Sequence, residues 1–356
     1  HDLAMILPAK DFIRLRMTGV AATDACDATA TLLFNPKARA WSKQLAQSLG
    51  LQLDWLPPIV AGTAMTGRIT DAAARECGLS AGTPVVGGAG HAAAMAVAAG
   101  VLATGSAAVE LGSVGSMLIA TADSQRDTSG RMRSSCHAVA NRWSLEAAGV
   151  AGSEGLDWLL DTVLASESAQ ARRNQRDPYE ILSELASEVV PGADGCLYLP
   201  GGQGPAGFLG LRPGIGRGHL VRAAFEGGAL ATRMAIESAV AAGVTVDRVI
   251  AVGPGAAGNL WAQILADVLD RSVEVASVTE AAAAGAAILC TPAVGVHKSL
   301  ESAVQAMVRR HGPLVPRRAA TEAYATLIPR HRRLSVAMLG NATAAESEPL
   351  AAEAQS

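Results

Sequence analysis

Short apolar runs alternate with amphipathic segments along this chain, and the alternation predicts an α/β protein. The predicted strands are residues 107–111, 117–119, 142–145, 196–200, 249–252 and 272–275. The predicted helices are residues 3–20, 41–49, 72–77, 154–164, 178–188, 218–242, 260–269 and 281–290. Glycine and proline clusters separate these elements, as expected for tight turns between strands and helices.

The most informative stretch of this pattern is residues 85–94. A run of β-forming residues enters a glycine cluster and continues into an alanine-rich segment, which predicts a strand, a tight turn and a helix start. Glycines let a backbone approach a substrate closely, and a polar side chain at such a turn can point into a cleft. Here that side chain is His91, which makes it a candidate functional residue.

Composition and charge narrow the classes of function. The 356 residues are enough for two domains with cores of their own. A net charge of -3 gives no electrostatic basis for binding nucleic acid or an anionic membrane. No apolar run reaches the ~18–20 residues of a membrane span. The five cysteines are scattered without CxxC spacing, so we expect reduced buried thiols in a cytoplasmic protein, without a metal or a disulfide.

Three glycine-containing turns follow predicted strands, at residues 87–90, 112–115 and 253–259. Successive backbone N–H groups in such turns can wrap phosphate oxygens. Each turn alone is weak evidence, because glycine turns after strands are common in α/β proteins. Their order and spacing are more informative.

Five segments, in order, resemble the FGGY carbohydrate kinases, and most closely the xylulokinase branch. Residues 7–19 resemble "LPKDYLRYRLTG", 23–34 "TDYSDASGTLLFD", 82–90 "GTPVVAGGGD" up to its aspartate, 110–115 "SLGTSG", and 252–269 "GGGARSPLWRQILADVLG". The resemblance runs from about residue 5 to residue 335.

The resemblance implies an actin-like ATPase fold, in which two lobes built on ribonuclease-H-like sheets close over a cleft. Residues 1–88 would be a remnant of the first, sugar-binding lobe, 89–338 the second, nucleotide-binding lobe, and 339–356 a disordered tail. The implied reaction is ATP-dependent phosphorylation of a ketose, with Mg²⁺ as cofactor. An aspartate of the family takes the proton of the sugar hydroxyl. The implied nucleotide contacts are Gly112, Ser113, Gly253, Gly255 and Asn259.

Four departures from the family pattern bear on activity. The Asp-Asn pair that ends the third motif is His91-Ala92, the "LPYLSGERTP" loop is shortened at residues 200–207, and Pro254 removes a backbone donor. No counterpart of the opening "DLGTSS" strand precedes residue 7, so we expect an incomplete first lobe. Such a lobe exposes sheet edge and apolar surface, which predicts a homo-oligomer or a partner that covers residues 5–80.

Two interpretations of His91 stay open. An imidazole can act as a general base near neutral pH, or it is the residue left after selection for catalysis relaxed. The corresponding hypotheses are a ketose kinase with impaired activity and an inactive pseudokinase that binds nucleotide or a protein partner. Asp24 and Asp27 are interpreted as caps of local backbone rather than as sugar contacts.

Overall fold

The computed structural model describes residues 3–112, 115–127, 130–150, 152, 154–201 and 206–346. The helices are α1 Ala9–Thr18, α2 Ala25–Ala30, α3 Lys43–Ser48, α4 Asp71–Cys77, α5 His91–Ala99, α6 Glu154–Trp158, α7 Ala165–Arg173, α8 Pro178–Ser187, α9 Arg217–Ala241, α10 Leu260–Leu269, α11 Ala281–Ala293, α12 Leu300–Met307 and α13 Arg318–Glu346. The strands are β1 Thr23–Asp24, β2 Phe34–Asn35, β3 Ala40–Trp41, β4 Ile59–Val60, β5 Met65–Arg68, β6 Pro84–Val86, β7 Ser106–Glu110, β8 Met117–Thr121, β9 Arg133–Cys136, β10 Trp143–Ala147, β11 Leu197–Leu199, β12 Gly207–Leu209, β13 Arg248–Val252, β14 Val273–Ala276 and β15 Arg310–Leu314.

A seven-stranded mixed sheet with the order β15-β14-β13-β7-β8-β10-β9 forms the centre of the molecule. The β7–β8 and β8–β10 pairs are antiparallel, whereas β13 pairs in parallel with both β7 and β14. Val252 lies opposite Glu110, so β7 and β13 end together at one edge of the sheet. The antiparallel pairing of β7 with β8 confirms the predicted hairpin of residues 107–119.

Helices cover both faces of this sheet. Alternate residues of β7 face opposite sides, with Val109 in the larger core cluster that also contains Phe225 of α9 and Trp261 of α10. Ala108 belongs to the second cluster, together with Met95 of α5. Since both faces are buried, β7 carries apolar residues at consecutive positions rather than alternating apolar and polar ones.

Helix α11 packs closely against α5. Gly285 of α11 is buried, and a Cβ atom added there would lie 1.8 Å from the carbonyl oxygen of Ala94. Only glycine permits the two backbones to approach so closely. Because His91 is the first residue of α5, this contact also helps to position His91.

Residues 3–86 form small two-stranded sheets around α1 to α4 rather than one large sheet. The helix predicted over residues 41–49 begins at Lys43, because Trp41 pairs with Phe34 as a strand and Ser42 caps the helix. Asp24 and Asp27, interpreted from sequence as caps of local backbone, lie at the end of strand β1 and in the first turn of α2.

The C-terminal region contains elements that the sequence patterns did not predict, namely α12, β15 and α13. Helix α13 extends through residues 339–346 of the predicted tail, and residues 347–356 lie outside the described part of the chain. Within the described residues, no helix is both long and apolar enough to span a membrane. All five cysteines are free, and Cys26, Cys136 and Cys196 are buried whereas Cys77 is exposed.

The predicted self-association stays a prediction. Its motivation in the structure is the exposure of Phe12 and Ile13 on α1, which are 52% and 56% exposed.

We expect Gly285→Ala to destabilise the protein by about 1–3 kcal/mol, because the new Cβ forces α5 and α11 apart. This loss exceeds the gain of ~1 kcal/mol that alanine brings to a helix interior. Urea unfolding of the variant and the parent protein measures the difference.

Gly207→Ala is the matched control, since a Cβ atom at Gly207 meets nothing within 4 Å. Its effect should stay within about 0.5 kcal/mol. An unchanged or raised stability in Gly285→Ala would contradict the packing account.

Candidate active site

His91 lies at the N-terminus of α5, directly after the glycine turn, as the sequence predicted for a helix start. Its side chain is 44% exposed and lines a cavity of about 450 Å³. Other cavity-lining residues are Lys10, Leu33, Trp41, Asp27 and Gly90. The cavity therefore combines apolar walls with a small number of charged groups, as small-molecule sites commonly do.

Glu110, the last residue of β7, is the partner of His91. Its Oε1 and Oε2 atoms lie 3.2 Å and 3.1 Å from Nε2 of His91. The hydrogen bond to Glu110 raises the pKa of His91 above its usual value, although burial opposes this. Burial raises the pKa of Glu110, but the hydrogen bond and charge of His91 outweigh burial and hold that pKa below its usual value.

Two basic side chains of α1 hold the turn that precedes His91. Lys10 Nζ donates to the carbonyl oxygen of Gly87 at 3.1 Å, and Arg14 Nη1 donates to the same oxygen at 2.8 Å. The next residue, Gly88, has φ +76° and donates its N–H to the carbonyl oxygen of Gly62 at 2.8 Å. The turn is thus anchored on one side by α1 and on the other by the loop after β4.

Three carboxylates surround Lys10. Its Nζ atom lies 2.5 Å from Asp11 Oδ1, 2.9 Å from Asp24 Oδ2 and 3.3 Å from Asp27 Oδ2. Arg14 Nη2 also contacts Asp11 Oδ1, at 2.8 Å. Burial lowers the pKa of Lys10, but these carboxylates outweigh burial and raise that pKa above its usual value.

Asp24 and Asp27 have different positions in this cluster. Asp24 caps α2 by accepting the N–H groups of Cys26 and Asp27, as the sequence predicted. Asp27 instead lines the cavity, and burial together with the charge of Asp24 raises the pKa of Asp27 to about 6. A Cβ atom on Gly90 would lie 2.7 Å from Asp27 Oδ1, so this carboxylate sits against the turn that carries His91.

The glycines predicted to hold nucleotide converge where β7 and β13 end. Gly112 contacts Pro254, since a Cβ atom at Gly112 would lie 3.4 Å from the proline ring. Gly255 donates its N–H to the carbonyl oxygen of Leu111 at 2.8 Å, and Gly253 donates to that of Val278 at 3.4 Å. These two donors are used within the protein, so the glycines here offer close backbone approach rather than free N–H groups.

Gly255 also has a packing role. A Cβ atom there would lie 2.4 Å from the ring of Trp261, and at Gly253 φ is +95°. Glu110 connects this surface to His91, because its Cγ atom would lie 3.5 Å from a Cβ atom on Gly253. Asn259 is exposed beyond the loop, with Oδ1 3.3 Å from Nε2 of His311. Ser113 lies outside the described residues.

A preformed Mg²⁺ site does not fit the described residues. The part of the chain that the structure describes contains one group of three metal-ligating side chains within 4.8 Å of one another, namely Asp11, Asp24 and Asp27. The ammonium of Lys10 already supplies a cation to these carboxylates. Glu110, the carboxylate against the glycine loop, is bound to His91.

Sequence reasoning missed Glu110, Lys10 and Arg14 as parts of this site. Lys10 and Arg14 lie in the first family-like segment, where the motif "LPKDYLRYRLTG" also has a lysine and an arginine, and this match was the available signal. Glu110 had a weaker signal: it begins the segment at residues 110–115, at the place of the serine in "SLGTSG".

Comparisons with known proteins agree with this architecture. The family model for the N-terminal domain of the FGGY family of carbohydrate kinases matches residues 1–98, and the model for the C-terminal domain matches residues 107–294. The solved xylulose kinase from Rhodospirillum rubrum superposes with a TM-score of 0.79 at 29% identity, over 95% of this chain and 68% of that one. The fold is therefore the actin-like ATPase fold of these kinases, as predicted. The chain belongs to the FGGY family of carbohydrate kinases.

Two curated relatives illustrate the range of similarity. The chain is 28% identical over 341 residues to the xylulose kinase of Bacillus subtilis, and 29% identical over 321 residues to the autoinducer-2 kinase of Salmonella typhimurium. These alignments cover 93% and 87% of this chain. The chain spans 66% and 61% of the length of those two proteins.

Removal of the Lys10 charge should destabilise the protein strongly. In Lys10→Met, the carboxylates of Asp24 and Asp27 lose their shared cation, and Gly87 loses one donor. We expect a loss of about 2–3 kcal/mol, less than the ~3–5 kcal/mol of a fully buried pair because a third of the Lys10 side chain is exposed. The loss should be largest above pH 6, where Asp27 is ionised, and it should shrink as pH falls and Asp27 takes up a proton.

Denaturant titrations of Lys10→Met at pH 7.5 and about pH 5 measure this, with Lys43→Met on the exposed start of α3 as control. Equal effects of the two variants, or a Lys10→Met loss that does not depend on pH, would contradict the role assigned to Lys10.

Proposed function

We propose that this chain is a kinase, or the main part of one, that uses ATP to phosphorylate a sugar hydroxyl, with a ketose as the acceptor. One observation carries the proposal: His91 lines a cavity of sugar size and, through Glu110, reaches the glycine-rich surface where β7 and β13 end. An acceptor in the cavity and a nucleotide on that surface would meet at His91. The relatives that are xylulose kinases support a ketose.

The proposed chemistry depends on positioning and on one proton transfer. The imidazole of His91 takes the proton of the sugar hydroxyl while the hydroxyl oxygen attacks the γ-phosphorus of ATP. Gly112, Gly253 and Gly255 let the phosphates come close to the sheet edge, because no side chain stands in the way. The nucleotide contacts of Asn259 and Ser113 stay predictions from the sequence.

Acceptor binding would use the rest of the cavity. Asp27 provides an acceptor that can hydrogen-bond a sugar hydroxyl, and Trp41 and Leu33 provide apolar contact for the carbon skeleton. Mg²⁺ would enter with the nucleotide rather than on a preformed protein site.

A nucleotide-binding protein without turnover is the second candidate. The observation in its favour is the pair His91-Ala92 in place of the family's Asp-Asn pair, since Ala92 cannot form hydrogen bonds through its side chain. Calorimetry with ATP and ADP in the absence and presence of ketoses distinguishes the two. Nucleotide affinity without sugar-dependent ADP release favours this candidate.

The proposed function predicts ADP release with xylulose, or with another member of a ketose and polyol panel, above the background ATPase rate. His91→Ala should lower kcat by about 10²–10⁴-fold, the usual contribution of a general base. A coupled ADP-release assay measures both, and the double variant His91→Asp, Ala92→Asn tests whether the family pair restores or raises the rate.

His219→Asn is the matched control, because His219 pairs with Asp194 at the start of α9 and does not line the cavity. It should leave kcat unchanged. An absence of turnover with every acceptor, or full activity in His91→Ala, would rule the proposal out.

A further inference from the structure

The hydrogen bond between His91 and Glu110 determines which ring nitrogen of His91 is available. Both carboxylate oxygens of Glu110 face Nε2, at 3.2 Å and 3.1 Å. An ionised carboxylate only accepts hydrogen bonds, so Nε2 must carry a proton. In a neutral imidazole, the lone pair then lies on Nδ1.

Glu110 is built into the sheet and is therefore a rigid partner. Its side chain is 11% exposed, and Oε2 also accepts the N–H of Ser116 at 3.4 Å. Glu110 ends β7, which is paired on both sides in the central sheet, whereas His91 begins a helix that packs on that sheet. Two elements of the fold thus hold the pair together.

The pair also carries the charge of the missing aspartate. A neutral His91 with an ionised Glu110 has a net charge of -1, as a lone aspartate has. After accepting a proton the pair is neutral, as a protonated aspartic acid is. The replacement of Asp by His at position 91 therefore preserves the charge change of the proton transfer when Glu110 is present.

We propose that Glu110 is a positioning residue: its carboxylate holds His91 with the proton on Nε2, so that Nδ1 accepts the proton of the sugar hydroxyl. This inference rests on the proposed function and adds the residue that makes His91 competent. The hydroxyl oxygen forms a bond to the γ-phosphorus, and the bond from the γ-phosphorus to the β–γ bridging oxygen breaks. The electron pair of that bond stays on ADP, and the hydroxyl proton moves to Nδ1 and then to solvent.

Three charged groups face His91 from the surrounding elements: Glu110 from β7, and Lys10 and Asp27 across the cavity from α1 and α2. Asp27 is the competing candidate base, because its carboxylate lies against Gly90 and lines the same cavity. The test must therefore separate titration of His91 from titration of Asp27.

The kinetic test is the pH profile of kcat in Glu110→Gln. Glutamine can still accept the Nε2 hydrogen but has no charge, so the pKa of His91 should fall. The low-pH limb of kcat, where His91 becomes protonated and can no longer accept a proton, should move to lower pH. We expect kcat at pH 7.5 to fall about ten- to a hundredfold, part of what a general base contributes. A structural role alone would lower kcat without moving the limb, and Glu110→Asp should recover part of the rate.

Glu146→Gln is the matched control. Glu146 has the same 11% side-chain exposure, lies on the same sheet and is paired with Arg133. It should leave both kcat and the limb in place. In Asp27→Asn the limb should stay where it is in the parent protein; loss of the limb in this variant would assign the base to Asp27 and overturn the proposal.

Nitrogen NMR of the imidazoles tests the pair without turnover. Long-range ¹H–¹⁵N spectra, assigned with His91→Asn, should show the Nε2–H form of His91 and a pKa that is lower in Glu110→Gln. The Nδ1–H form, or a pKa unchanged by Glu110→Gln, overturns the proposal whether or not the protein is active.

If the NMR result holds and no acceptor is phosphorylated, the pair exists but its catalytic role fails together with the proposed function. If Glu110→Gln is active and the low-pH limb of its kcat profile does not move, only the role assigned to Glu110 is ruled out.

Discussion

The site depends on the hydrogen bonds that Lys10 and Arg14 donate to the carbonyl oxygen of Gly87. These cations are held in turn by Asp11, Asp24 and Asp27, in a setting where unpaired charges would be costly. Because the turn of residues 87–90 leads directly into α5, this network sets the position of His91. The close contact of Gly285 with Ala94 fixes the same helix from its other side.

The pair of His91 and Glu110 connects two regions that the sequence keeps apart. His91 faces the cavity that α1, α2 and Trp41 line, and Glu110 reaches the glycines at the ends of β7 and β13. A lone histidine in place of an aspartate changes the charge of a site. A histidine hydrogen-bonded to a buried glutamate keeps that charge, which is why this substitution does not by itself argue for an inactive protein.

Local patterns predicted the elements whose residues carry their own signals. Helix α10 was predicted with its observed bounds, Leu260–Leu269. The hairpin of β7 and β8 followed from its apolar runs and central glycines. The start of α5 at His91 followed from the glycine turn, and the fold class followed from family-like segments.

The rest depends on tertiary contacts that no local pattern contains. Glu110 and His91 are 19 residues apart, and only the sheet and α5 bring them together. Lys10 meets Gly87 across 77 residues. The donors of Gly253 and Gly255 were expected to face phosphate, but their backbone hydrogen bonds to Val278 and Leu111 emerge only from the three-dimensional packing of the loop.

A crystal structure with a non-hydrolysable ATP analogue and a ketose tests the central claim most directly. The account predicts the acceptor hydroxyl within hydrogen-bond reach of Nδ1 of His91, about 2.6–3.2 Å, with Nε2 still on Glu110. A ketose whose reacting hydroxyl instead contacts Asp27 or another carboxylate, with His91 turned away, would contradict it.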